Sequence, residues 1–153
     1  MKTQRKTVLY FAYGSNLDEA QMRERCRSAR PRGQATLRHH ALVFGGFSQR
    51  WGGAVASIQR ERGTHVEGLL YRISRRDLAR LDRIEGHPFF YARIRRTVLD
   101  ARGRRRKVWT YRQPDDGFEP WMPPPEYFRV IVGAYRRLGL DPTSLVAAVG
   151  VRV

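Results

Sequence analysis

The first legible pattern is a short continuous apolar run. Residues 7–12 (Thr-Val-Leu-Tyr-Phe-Ala) are β-branched, aliphatic and aromatic in succession, which predicts a buried strand. Tyr13-Gly14-Ser15-Asn16 break the run. Asp18 and Glu19 then fall where the first turn of a helix favours negative charge, and Met22 and Cys26 are i, i+4 neighbours on one face. The chain therefore opens as strand, tight loop, helix. Further strands are predicted over 35–44, 54–58, 65–73, 91–99 and 106–112. Gly45-Gly46 reads as a turn after the first of these, and Gly52-Gly53 as the lead into the second. Gly68 reads as a bulge in the third, and Arg102-Gly103 as the tip of a hairpin joining the last two. Pro120 to Pro125 form a stiff loop. Helical spacing returns from Glu126 to Leu138, where Tyr127, Ile131, Ala134, Tyr135 and Leu138 share one stripe and Gly139 suits the C′ position. Asp141-Pro142 begin a last short helix. Strands outnumber helices. The expected fold is α+β: a curved sheet or small β-barrel with flanking helices.

One more helix carries a chemical conflict. Ser74 is a natural N-cap, Asp77 stands at the capping-box position, and Leu78, Leu81 and Ile84 follow at helical spacing before Gly86 ends the run. Glu85 is i+4 from Leu81 and i+7 from Leu78, so it projects with the leucines toward the core. It also occupies the last turn, where the helix dipole disfavours a carboxylate by roughly 0.3–1 kcal/mol. Phe89, Phe90 and Tyr91 follow as an aromatic wall. A residue that breaks two local rules together marks a candidate functional site. Desolvation raises the pKa of a carboxyl group, which suits it to proton transfer near neutral pH. Glu85 is accordingly the candidate general acid–base.

The loop between the first strand and first helix, Tyr13-Gly14-Ser15-Asn16-Leu17, is the second candidate. Glycine permits close backbone approach, and N–H groups at such a bend form a site for a carboxylate, a phosphate or an oxyanion. Ser15 lacks the Gly-x-Ser-x-Gly elbow of a serine nucleophile.

Composition narrows the class. With 153 residues, 41% hydrophobic and 11% aromatic, the chain reads as one globular domain over 1–153, with 1–6 a flexible N-terminus. No run approaches the ~18 apolar residues of a membrane span. Cys26 is the single cysteine, which excludes a disulfide scaffold and points to a reducing cytoplasm. Cys26 itself reads as a helix-face hydrophobe. The net charge is +16, almost all of it arginine, and such a field attracts anions. Arg93, Arg95, Arg96, Arg102, Arg104, Arg105, Arg106 and Lys107 crowd one predicted hairpin. No nucleic-acid motif accompanies them, so any such binding is expected to be non-specific and salt-sensitive. His39 and His40 are adjacent and face opposite sides of a strand. With His65, His87 and Cys26 they give no metal spacing, and no metal site is expected. Pro124-Pro125-Glu126-Tyr127 fits a helix start rather than a proline-rich ligand.

Four blocks in order resemble the AIG2-like γ-glutamylcyclotransferase family: Tyr10-Phe11-Ala12-Tyr13-Gly14-Ser15-Asn16-Leu17; Trp51-Gly52-Gly53-Ala54-Val55-Ala56-Ser57-Ile58; Leu81-Asp82-Arg83-Ile84-Glu85-Gly86 with Tyr91; and Pro124-Pro125-Glu126-Tyr127. The likeness runs from about Val8 to Leu140. It implies a small barrel with flanking helices and conversion of a γ-glutamyl amino acid or γ-glutamyl amine to 5-oxoproline and a free amine, without a cofactor. It implies Glu85 as the catalytic glutamate, Tyr13 to Leu17 as the substrate-binding loop, and Tyr91 and Tyr127 as residues bordering the cavity. Tyr91 follows Glu85 one position sooner than in the animal dipeptide-cleaving enzymes. The loop amides would hold either the substrate α-carboxylate or the developing oxyanion. Residues 113–125 are the candidate rim or lid. The competing reading is an inactive binding module of the same fold, presenting its arginines to nucleic acid or an acidic partner.

Overall fold

The computed structural model describes residues 7–150; the expectation for 1–6 lies outside the described residues. Strand β1 (Thr7–Ala12) leads through a short 3-10 turn (Ser15–Leu17) into α1 (Glu19–Arg25). Two long strands follow, β2 (Arg30–Ser48) and β3 (Gly53–Ser74), then α2 (Arg75–Glu85). The hairpin β4 (Ala92–Asp100) and β5 (Arg105–Arg112) precedes α3 (Pro125–Leu138) and α4 (Thr143–Ala148). The strands close into a barrel in the order β1-β3-β2-β4-β5. All neighbours are antiparallel except β1 and β5, which meet in parallel at Tyr10 and Trp109. That seam is reinforced by two buried bonds, Thr110 Oγ1 to the Phe11 carbonyl at 2.8 Å and Tyr13 Oη to the Tyr111 carbonyl at 2.5 Å. Closure removes the open edges that would otherwise invite strand pairing between molecules. Phe11, Phe44, Ile58, Leu70 and Ile73 are among the fully buried side chains at the centre.

The α+β barrel expected from the pattern is the observed one, with three corrections inside it. The predicted strands 54–58 and 65–73 are one strand. Gln59 and Arg60 continue the pairing to β2, 61–64 bulge out opposite His39 at a register shift where His39 and Gly63 both have positive φ, and pairing resumes at His65. Gly45-Gly46 is not the turn. Both residues lie in β2, and the chain reverses at 49–52. Loop 113–125 crosses β2 at this pair, with Gly46 N–H bonded to the Glu119 carbonyl at 3.0 Å, and a Cβ on Gly45 would stand 2.4 Å from that same oxygen. Gly68 is not a bulge either: it pairs in register with Ala35, and its missing side chain makes room for the Phe11 ring and Ala12 carbonyl.

Helix α2 follows its sequence signals closely. Ser74 Oγ accepts the Asp77 N–H at 3.0 Å, Leu78 and Leu81 are buried, and Gly86 ends the helix with a left-handed φ of 75°. Asp77 also accepts the Ser28 N–H at 2.9 Å, tying α2 to the segment after α1. Among the described residues, no helix is long and apolar enough to cross a membrane.

Candidate active site

The end of α2 delivers Glu85 to the mouth of the β1–α1 loop. Its side chain is only 12% exposed, so the inward projection inferred from its spacing is real. Arg25, in the last turn of α1 and 11% exposed, places Nη1 3.2 Å from Glu85 Oε1. The same Nη1 donates to Asn16 Oδ1 at 3.0 Å. Asn16 Nδ2 donates in turn to Glu85 Oε1 at 3.3 Å and to Tyr10 Oη at 2.9 Å. Burial pushes the Glu85 carboxyl above the ordinary glutamate range. The Arg25 guanidinium, the Asn16 amide and, more distantly, Arg50 pull the other way.

The loop that positions Asn16 is fixed from several sides. Tyr71 Oη donates to the Asn16 carbonyl at 2.9 Å, and Gln21 Nε2 donates to Ser15 Oγ at 2.8 Å and to Asn16 Oδ1 at 3.1 Å. Asp18 caps α1 by accepting the Gln21 N–H at 3.2 Å. Gly14 is needed for close approach: a Cβ there would lie 3.2 Å from Ala56 Cβ and 3.3 Å from Tyr127 Oη. Opposite the loop, β3 presents Ala56. Its N–H donates to Tyr127 Oη at 2.9 Å, and its carbonyl accepts Tyr91 Oη at 2.6 Å. The Ser15 backbone N–H also faces the Tyr127 hydroxyl. Burial raises Tyr10, Tyr13, Tyr91 and Tyr127 above the normal phenol range, so all four stay protonated donors at neutral pH.

Two small hollows meet at Glu85. The inner one, about 40 Å³, is lined by the loop residues Tyr13 to Asn16 together with Tyr10 and Tyr111. The outer one, about 80 Å³, is lined by Ser48, Arg50, Trp51, Ile84 and Phe90, with Arg25. Ser15, Glu85, Tyr91 and Tyr127 border both. The structure thus brings together Glu85, Tyr13, Gly14, Ser15, Asn16, Tyr91 and Tyr127. Leu17 is the exception, since it is 1% exposed in the core and lines neither hollow. Residues 113–125 line neither hollow; Ser48, Arg50 and Trp51, where β2 turns into β3, border the outer one instead.

Arg25, Arg50, Tyr10 and Tyr111 complete the site without having been singled out in the sequence. Gln21 and Arg25 are i, i+4 on α1 and reach back to the loop just before it, which is the one local signal for Arg25. Tyr111 Oη donates to Asp82 Oδ1 at 2.6 Å, fastening β5 to α2 one turn before Glu85.

The remaining candidates have structural roles. Cys26 is buried and its thiol is pushed up to about 12, chiefly by burial, so it is not poised as a nucleophile. His40 shares a bond with the Arg38 carbonyl through Nδ1 at 2.9 Å and accepts Arg96 Nε at Nε2 at 3.2 Å; burial holds its pKa down. Much of the arginine cluster is engaged within the chain. Arg93 pairs with Asp82 at 3.3 Å, Arg104 and Arg106 with Asp100 at 3.0 and 3.5 Å, and Arg93 and Arg95 both stack on Trp109.

A closed barrel whose buried carboxylate sits between two hollows, beside a strand-to-helix loop, has the plan of a small enzyme. A family described as gamma-glutamyl cyclotransferase, AIG2-like, matches residues 10–129. The mouse protein named gamma-glutamylcyclotransferase is 33% identical over 140 residues, which covers 88% of this chain and 73% of that protein. Its human counterpart is 31% identical over the same length and coverage. A solved structure titled gamma-glutamyl cyclotransferase superposes with a TM-score of 0.86 at 28% identity, covering 95% of this chain and 88% of that one. The chain belongs to the AIG2-like γ-glutamyl cyclotransferase family.

Proposed function

We propose that this chain converts a γ-glutamyl compound to 5-oxoproline and a free amine, with Glu85 as the proton carrier. The observation that supports this reading above the others is the position of Glu85, buried where the two hollows join. The substrate supplies its own nucleophile. Its α-nitrogen attacks the γ-carbonyl carbon, a five-membered lactam forms, and the bond from that carbon to the amide nitrogen breaks. Intramolecular attack of this kind reaches effective molarities of ~10⁵–10⁸ M once the reactive conformer is held. Ring closure strips two protons from the α-ammonium, and the amine departs with two more than its nitrogen carried in the amide. A single carboxyl group between the two nitrogens can carry protons from one to the other.

Glu85 suits that task. Arg25 and Asn16 both contact Oε1, which leaves Oε2 to exchange protons. Desolvation raises the carboxyl's affinity for a proton, which is the direction such a relay needs. The loop Tyr13 to Asn16 would bind the glutamyl portion, its amides taking the α-carboxylate or the oxyanion. Tyr91 and Tyr127 would close the opposite wall. The single cysteine is in keeping with a reducing, cytoplasmic setting.

The test is 5-oxoproline release from a panel containing γ-glutamyl dipeptides, γ-glutamyl-lysine, glutathione and other γ-glutamyl amines. Wild-type protein is expected to turn over at least one class. Glu85→Gln is expected to lower kcat for it by about 10²–10⁴-fold, the usual worth of general acid–base catalysis. Full turnover by Glu85→Gln would remove the role assigned to the carboxylate.

A further inference from the structure

The outer hollow has a charge pattern that its catalytic residues do not explain. Arg25 is committed to Glu85 and Asn16. Arg50 lines the same hollow, is exposed, and has neither a hydrogen bond nor an ion pair from its side chain to any described residue. With Glu85 ionised, the hollow holds two guanidinium groups against one carboxylate.

The turn that carries Arg50 is held in place. Gly52 N–H bonds to the Ser48 carbonyl at 2.8 Å, and Trp51 N–H bonds to Ser48 Oγ at 3.3 Å. The Trp51 ring packs edge-on against Tyr127 at 4.9 Å between centroids. Gly53 lies so close to Pro124 that a Cβ would come within 2.7 Å of its ring. Arg50 therefore starts from a backbone fixed on both sides, although its guanidinium is free.

The two hollows also differ in what they can accept. Resting on the reaction proposed above, Glu85 must reach both the attacking and the departing nitrogen, so the scissile bond lies at the junction. The glutamyl portion is the same in every substrate, and the reading above puts it beside the loop, in the smaller hollow. The departing amine varies, and the hollow that reaches the surface at 49–52 is the one that admits variation. We infer that Arg50 is a specificity residue: it selects γ-glutamyl compounds whose departing amine carries a carboxylate, which it receives at the mouth of the outer hollow. Guanidinium pairs with carboxylate through two parallel N–H bonds, a geometry a free arginine at a pocket mouth can offer.

The experiment compares γ-L-glutamyl-L-alanine with γ-L-glutamyl-L-alaninamide, which differ only in that carboxylate. The readout is the ratio of their kcat/KM values, measured as 5-oxoproline release. In wild-type protein the acid is expected to be favoured by about tenfold, mainly through KM, and less so as salt is raised. In Arg50→Gln the ratio is expected to fall to about one, with Arg50→Lys intermediate. A wild-type ratio near one, or a ratio that Arg50→Gln leaves intact, would overturn the inference while leaving the cyclisation itself standing. No 5-oxoproline from either compound or from the wider panel would remove both readings together.

Discussion

Glu85 is held between opposed influences, and their balance predicts how activity responds to pH. Burial favours its neutral form, whereas Arg25 at 3.2 Å favours the carboxylate. The base must be ionised to accept a proton, so kcat/KM falls as pH drops through its raised pKa. Removing Arg25 takes away the largest opposing influence, and the pKa rises further. Arg25→Gln is therefore expected to move the acid limb of the kcat/KM profile to higher pH, so that the variant loses most on the acid side of the profile and recovers as pH is raised. An acid limb that stays in place would mean that Arg25 serves only to hold the loop. The same raised pKa also weighs on stability: the native chain keeps a proton that the unfolded chain releases. That contribution is present below the ordinary glutamate range and is lost as pH rises through the folded value. Glu85 was legible in the sequence because it sits on an apolar helix stripe, against two local preferences. Arg25 was not, because its contact spans 60 positions and 27 of the chain's residues are arginine.

Among the elements, capping residues mark the helices closely, whereas the apolar pattern breaks the long strands into pieces. The Ser74 cap and Gly86 stop bracket α2, and both act as their residue types require. The predicted strands 54–58 and 65–73 merge because the intervening Gln59 to Thr64 is polar, and polarity alone looks like a loop. In the structure Gln59 and Arg60 still pair with β2 and 61–64 bulge out opposite His39, on an exposed part of the hairpin where apolar alternation has no core to report. Gly45-Gly46 and Gly68 depart from the expected turn and bulge for a related reason: sequence shows that a side chain is missing but not what occupies its place. At Gly68 the occupant is the Phe11 ring and the Ala12 carbonyl, the latter 2.4 Å from an added Cβ. Gly68→Ala is expected to destabilise the protein by about 1–3 kcal/mol, the usual cost of overpacking. Gly133 is the contrasting case. It lies inside α3 with only the tip of the Arg137 side chain near an added Cβ, at 3.3 Å. Gly133→Ala is expected to stabilise by about 0.5–1 kcal/mol. Urea unfolding of the two variants should show opposite shifts of midpoint, and the same sign for both would contradict this account of the glycines.

At the scale of the whole molecule, a net charge of +16 imposes a long-range field that the short-range pairing only partly relieves. Asp82 and Asp100 between them hold three arginines of the β4–β5 hairpin, and Trp109 carries Arg93 and Arg95 on its ring. Side chains fixed in this way are poorly placed to read bases, since base readout needs donors free to enter a groove in register. What remains for a polyanion is attraction without a template. Counterion release then governs any association, which should depend steeply on salt and little on sequence. In titrations against duplexes of unrelated sequence, binding is expected at low ionic strength and to be largely lost by about 150 mM salt. Submicromolar binding to one sequence at that ionic strength would mean that the hairpin is a recognition surface. The same field acts on small ligands as well. A γ-glutamyl dipeptide bears two carboxylates and one ammonium, so it approaches the barrel mouth down a favourable gradient before Arg50 or the loop amides touch it. The chain's unusual composition can therefore assist encounter with an anionic substrate without any nucleic-acid partner to explain it.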